Sequence, residues 1–151
     1  MVRPFGSTWP TAQKKRDRGE ATNAAERLEG LVGALIDHRS STDERVADLR
    51  YQLLSGVAGA IAAAVDYEAT SAVFFVHNFV TDETTAALRE RNAQDLRNFA
   101  TTAFNVDLPD AAEPPWCVGP LPFPGNTTRL SPEVSLYLGK AATDWRTRSD
   151  V

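Results

Sequence analysis

Between Leu49 and Phe79 a helix of small residues runs straight into a strand that is apolar almost throughout. Leu49-Arg-Tyr-Gln-Leu-Leu54 opens the helix, and Gly56, Ala60 and Ala64 recur on it one turn apart. Each glycine inside a helix costs about 1 kcal/mol relative to alanine. Gly56 and Gly59 therefore mark a close approach of another backbone. The strand follows as Ala72-Val-Phe-Phe-Val-His-Asn-Phe79. Its unbroken apolar run, Val73 to Val76, is the pattern of a strand covered on both faces. Together these segments predict an αβ unit, with Ala72–Val80 central in a mixed sheet and the helix packed on it through Gly56 and Ala60.

Hydrophobic spacing extends that unit in both directions. Leu28, Leu31, Val32, Leu35 and Ile36 recur on one face of a helix from about Asn23 to His38. Thr22 or Asn23 caps it, with Glu26 near the capping-box position. Ser40-Ser-Thr-Asp43 is a polar break. The second helix is predicted from about Asp43 or Ala47 to Val65, on a stripe of Val46, Leu49, Leu53, Leu54, Val57, Ile61 and Val65. A third is expected from about Glu83 to Phe104, capped by Thr81 or Asp82. Its inner stripe is Leu88, Asn92, Leu96, Phe99, Ala100 and Ala103. Trp116-Cys-Val118 is a short strand ended by Gly119-Pro120, and Val134-Ser-Leu-Tyr-Leu138 a strand ended by Gly139-Lys140. The fold class is α/β, a small mixed sheet with three main helices.

Length and composition bound the organisation. The 151 residues make one domain, large enough to bury a core. Residues 1–20 read as an irregular arm punctuated by Pro4, Gly6 and Pro10, with Phe5 and Trp9 as anchors and a basic run at Lys14–Arg18. Residues 21–145 form the single α/β domain, and 146–151 a disordered tail. A net charge of −4 gives no global attraction to nucleic acid or to an acidic membrane, though a local basic face is allowed. The one cysteine, Cys117, excludes an internal disulfide and a multi-cysteine zinc site. It fits a cytoplasmic protein, and no secretory signal is visible. The longest apolar helical run is too short to span a bilayer, so no membrane partner is expected.

Recognisable catalytic motifs are absent. There is no nucleophile elbow and no phosphate loop; Gly139-Lys-Ala141 lacks the glycine-rich lead and the hydroxyl residue, and Lys140 reads as an exposed strand-end charge. The acidic residues fall at helix starts or on polar helix faces, and no predicted strand holds an Asp or a Glu-x-Lys. Two histidines and one cysteine, scattered along the chain, make no metal-ligand spacing. Four residues remain as candidates. Tyr51 and Gln52 lie beside the core stripe of the second helix, and Arg50 is about 200° from Gln52 around it. They either satisfy backbone groups at a helix–sheet edge or place the Gln52 amide in a cleft, where it bonds a phosphate or a base. His77 closes the apolar run: it either makes a structural hydrogen bond or sits at a strand end where sites collect.

Five segments in order carry a resemblance: Arg3-Pro-Phe-Gly6, Arg27-Leu-Glu-Gly-Leu31, Leu49-Arg-Tyr-Gln-Leu-Leu54, Ala72-Val-Phe-Phe-Val-His-Asn-Phe79 and Leu136-Tyr-Leu-Gly-Lys140. Over roughly residues 3 to 140 the chain resembles the C-terminal part of an uncharacterised bacterial family that looks like a branch of the PD-(D/E)XK, or restriction-endonuclease-like, nucleases. The resemblance implies an incomplete restriction-endonuclease-like fold. In that superfamily the metal-binding Asp and the Glu-x-Lys strand come before the helix that matches the second one here. In the matching branch Glu-x-Lys lies just before a Pro-Phe-Gly, and here Pro4-Phe-Gly6 is preceded only by Met1-Val-Arg3. The catalytic strand is thus expected to be missing, and the chain to be inactive alone. Some relatives use a Gln on the following helix to support the site, and Gln52 is the matching position. Mg²⁺ is implied only if the upstream half is supplied, and DNA is a partner by resemblance alone.

Two expectations follow. The chain is the distal portion of a nuclease-like protein, with Gln52 and His77 near the site, or it is a non-catalytic α/β interaction module. In either case missing strands would leave an open, apolar sheet edge beside Ala72–Val80, which invites a homodimer or a protein partner.

Overall fold

The computed structural model describes residues 24–36, 46, 48–108, 114–125 and 129–146. The predicted arm, residues 1–20, and the tail beyond Arg146 lie outside the described residues. Among the described residues the elements follow in the order α1 (Ala24–Leu35), α2 (Tyr51–Asp66), β1 (Ser71–Val80), α3 (Ala86–Phe104), β2 (Trp116–Leu121) and β3 (Ser135–Asp144). The strands form one mixed sheet in the order β1-β3-β2. β1 and β3 run parallel in unbroken register from Ser71 opposite Ser135 to Val80 opposite Asp144. β2 pairs antiparallel to β3, with an irregularity between Val118 and Leu121.

Among the described residues β1 is therefore an edge strand and β3 the central one, a correction to the expected order. The parallel pair is what moves β3 inward. Both strands are ten residues long, and β3 has β2 on its other side. β3 also runs through Gly139-Lys140, where a strand end was expected. Gly139 does not stop it because the ring of Phe75, its cross-strand partner, lies over the glycine. An aromatic ring covering a strand glycine restores the packing that the missing side chain forgoes.

β1 is covered on one face. Ala72 and Val80 are buried and Phe74 and Val76 partly so, while Val73, Phe75 and Phe79 remain about half exposed. The continuous apolar run in the sequence hides a period-two burial pattern. The covered face carries α2, whose Leu54, Val57, Ala58, Ile61 and Ala64 are buried. They join Val32 and Leu35 of α1, Leu96, Phe99 and Phe104 of α3, and Leu136 and Leu138 of β3 in one core.

Helix boundaries shift where side chains cap differently. α2 begins at Tyr51, not near Asp43 or Ala47, because Arg50 is extended (φ −79°, ψ 118°) and acts as the N-cap. Its carbonyl accepts from the amide of Leu53 at 2.9 Å. Val46 and Leu49 stay in the core, and Leu49 lies in a bend before the helix. α3 begins at Ala86, later than the expected Glu83. Thr85, not Thr81 or Asp82, is its cap and accepts from the amide of Leu88 at 3.2 Å. The inner face of α3 is rotated too: Ala93, Leu96, Phe99, Ala100, Ala103 and Phe104 are buried, while Leu88 is exposed. The first half of α3 thus overhangs the sheet without closing on it.

Candidate functional site

The start of α2 meets the free edge of β1 in a groove of about 360 Å³. Arg50, Gln52 and Leu53 line it from the start of α2, Val76, His77 and Asn78 from β1, and Asn92, Asp95 and Leu96 from α3. Three of the four candidate residues, Arg50, Gln52 and His77, therefore border one groove, and their roles in it differ.

Arg50 is 8% exposed. Its Nε donates to Asp95 Oδ2 at 2.6 Å, and its Nη2 is ion-paired to the same oxygen. As the N-cap it is not on the helix surface, so the angular separation expected from Gln52 does not apply. Arg50 ties the first turn of α2 to the middle of α3. Gln52 is exposed on that first turn, and its carbonyl accepts from the hydroxyl of Ser55. Its amide, with those of Asn78 and Asn92, is among the polar groups that line the groove outside the Arg50–Asp95 ion pair. Tyr51 is half-buried against the core and does not line the groove.

His77 borders the groove from the strand, while its imidazole bonds across the outward face. Nε2 lies 2.9 Å from Thr143 Oγ1, and the ring stacks on Phe79 with centroids 4.3 Å apart. Phe79 in turn meets Trp145 edge-on at 5.8 Å. Outward from the sheet, Val73, Phe75, Phe79 and Trp145 form a line of exposed apolar side chains.

The groove does not fit a resident divalent cation. It contains one carboxylate, Asp95, and that is engaged by Arg50. Among the described residues no group of three His, Cys, Asp or Glu is placed to hold a metal ion. Hard cations need several oxygen ligands at once.

A second cleft, of about 330 Å³, opens under the first half of α3. Asn78, Val80, Lys140 and Ala142 line it from the sheet, Ala86, Arg89, Glu90 and Ala93 from the helix, and Pro114 from the lead into β2. Lys140, expected as an exposed strand-end charge, is 4% exposed on the central strand. The correction has a simple cause. β3 continues past it, and Leu136, Leu138 and Lys140 alternate onto the same covered face. Burial pushes the Lys140 pKa down, and the nearby Arg97 adds to this; Glu90 opposes it. Asp95, Asn78 and Lys140 were not among the sequence candidates. Period-two alternation continued beyond Gly139 is the signal that finds Lys140; nothing local in the sequence singles out Asp95.

Residues 4–144 match a family model described as a domain of unknown function (DUF6946), and the chain belongs to that family. No curated protein and no solved structure matches the chain. No helix among the described residues is long and apolar enough to cross a membrane.

Proposed function

We propose that this member of the domain-of-unknown-function family is the distal portion of a PD-(D/E)XK nuclease-like module, inactive by itself, whose β1 edge receives the strand that bears the metal ligands. One observation supports the reading above others. Gln52, the position expected to assist such a site, borders a groove lined by Val76, His77 and Asn78 of β1, the edge strand among the described residues. A strand added at that edge would lie beside Gln52 and Asn78. It would have to bring the carboxylates, because the described residues do not supply them. Mg²⁺ held there would supply the activation of water toward a phosphodiester. This chain's part is to position the backbone with Gln52 and to keep the α2 start rigid through Arg50 and Asp95.

The test has two arms. Purified chain with plasmid and Mg²⁺ or Mn²⁺ gives no cleavage, whereas cleavage abolished by mutating a residue of this chain overturns the inactivity. Fluorescence anisotropy with a short DNA duplex at low salt gives binding that Gln52→Ala weakens about fivefold, the worth of one hydrogen bond. No duplex binding, or binding indifferent to Gln52, overturns the nucleic-acid reading.

The second reading is an interaction module, and the exposure of Val73, Phe75 and Phe79 on a strand that is at the sheet edge among the described residues favours it. The occupant we assign is a second copy of the chain, with two β1 edges paired about a two-fold axis. That arrangement closes both edges at once and joins the two outward apolar faces into one. It has no need of DNA, so loss of duplex binding leaves it standing.

A further inference from the structure

We propose that the cleft under α3, floored by Lys140 and bordered by Arg89, is a binding site for a phosphate-type oxyanion. This site is separate from the β1-edge groove, although Asn78 borders both. Four observations carry it. Lys140 is almost fully buried on the central strand, and among the described residues its Nζ has neither a hydrogen-bond nor an ion-pair partner. Directly across the ladder from it in register is Trp116. The Trp116 indole Nε1 is buried and has no acceptor. Cross-strand partners share a face of the sheet, so the Trp116 side chain stands beside Lys140 at the border of the cleft without lining it.

The cleft lining carries two cations, Lys140 and Arg89, and one carboxylate, Glu90, which Arg97 engages at 2.6 Å; outside the lining, Arg89 also lies within electrostatic reach of Asp144. Arg97 holds one of the two Glu90 oxygens, and Glu90 acts on Lys140 through its charge without a hydrogen bond to it. A buried ammonium without an acceptor is unfavourable, and so is a buried indole N–H. An oxyanion in the cleft supplies the acceptor that Lys140 lacks. Its oxygens accept from Lys140 Nζ and from the Arg89 guanidinium at the exposed rim. The Asn78 amide lines the same space. Apart from Glu90, held by Arg97, the polar side chains of the lining are donors or can act as donors, which selects an acceptor-rich anion over a cation or an apolar ligand. A phosphate group is supplied either free or within a nucleic-acid backbone.

The experiment is a thermal melt of the full chain in inorganic phosphate against chloride at matched ionic strength. Phosphate is expected to raise the melting temperature of the wild type and to quench or shift tryptophan emission in a saturable way. Lys140→Met abolishes the rise, and Trp116→Phe removes the saturable fluorescence change. Arg89→Gln, at an exposed position that folding does not depend on, weakens phosphate binding about tenfold, the worth of a charge-assisted hydrogen bond. Should Lys140→Met fail to fold, Arg89→Gln decides alone. A wild type indifferent to phosphate overturns the proposal, as does an undiminished response in Arg89→Gln. A single-stranded oligonucleotide separates the sources. Displacement by phosphate in the wild type, with no binding by Arg89→Gln, assigns the site to a nucleic-acid phosphodiester. Oligonucleotide binding indifferent to both, alongside a phosphate response that needs Arg89, assigns it to free phosphate. Gln52→Ala leaves the phosphate response intact, so failure of the β1-edge reading and failure of this site are told apart.

Discussion

The ring of Phe74 fills the space that a side chain at Gly56 would need: a Cβ built on Gly56 lies 2.5 Å from Phe74 Cε2. This is the contact through which α2 packs on β1. It explains why the helix tolerates glycine at that turn, since the loss of helix propensity is offset by the close approach. Gly56→Leu is expected to overpack it and lower stability by about 1–3 kcal/mol in urea denaturation. Trimming the ring in a Gly56→Ala, Phe74→Leu double variant is expected to recover part of the cost of Gly56→Ala. An unchanged midpoint in Gly56→Leu would remove the contact.

The Arg50–Asp95 ion pair anchors the first turn of α2 to α3, with side-chain exposures of 10% and 24%. Removing one partner leaves a charge with little access to water. Asp95→Ala is expected to cost about 2 kcal/mol, less than a fully buried pair because Asp95 retains some solvent. The loss has a local signature as well. The amides of Leu53 and Leu54 bond to the Arg50 carbonyl, so their hydrogen exchange should accelerate more than that of Ile61. Uniform acceleration along α2 would show that Arg50 does not fix the helix start.

At the far end of β3, Arg146 holds Asp144. Its Nε donates to both carboxylate oxygens at 2.9 Å, and its backbone amide donates to Oδ1 at 3.0 Å. These bonds push the Asp144 pKa down to about 2. Because the folded-state value lies below the unfolded one, the pair favours folding above the ordinary carboxylate range. That contribution is lost as pH falls through about 2. Both side chains are more than half exposed, so salt weakens the pair. A carbon-detected NMR titration should place the Asp144 midpoint near 2 and move it back toward the usual range in Arg146→Gln. A midpoint unmoved by that substitution would break the assignment.

The half-exposed face of β1 gives the dimer reading its own test. Val73 is 56% exposed and packs on little, so Val73→Lys places a charge at the edge without disturbing the core. Light scattering after size exclusion is expected to give a dimer for the wild type at high concentration and a monomer for Val73→Lys. A wild-type monomer at all concentrations would sink the two-fold edge pairing. Duplex binding retained by a monomeric Val73→Lys would separate the nuclease-like reading from it.

The helical periods, the glycine-marked face of α2 and the existence of β1 were all legible in the amino-acid sequence, because each depends on neighbours within a turn or two of chain. Burial of Gly56 against an aromatic ring follows from the same local pattern. The candidate groove was half legible. Arg50, Gln52 and His77 stand beside recognisable helix and strand ends, and the tertiary structure places all three along one groove. What the sequence by itself could not determine is long-range pairing. β1 became an edge strand and β3 the central one only through a parallel register between segments more than sixty residues apart. The same pairing carried β3 through Gly139, under the ring of Phe75, and turned Lys140 inward. It also set Trp116 opposite that lysine, and the packing of α3 paired Asp95 with Arg50. Which donors end buried without an acceptor is a property of strand order and of helices that close incompletely over a sheet, and no local spacing encodes either.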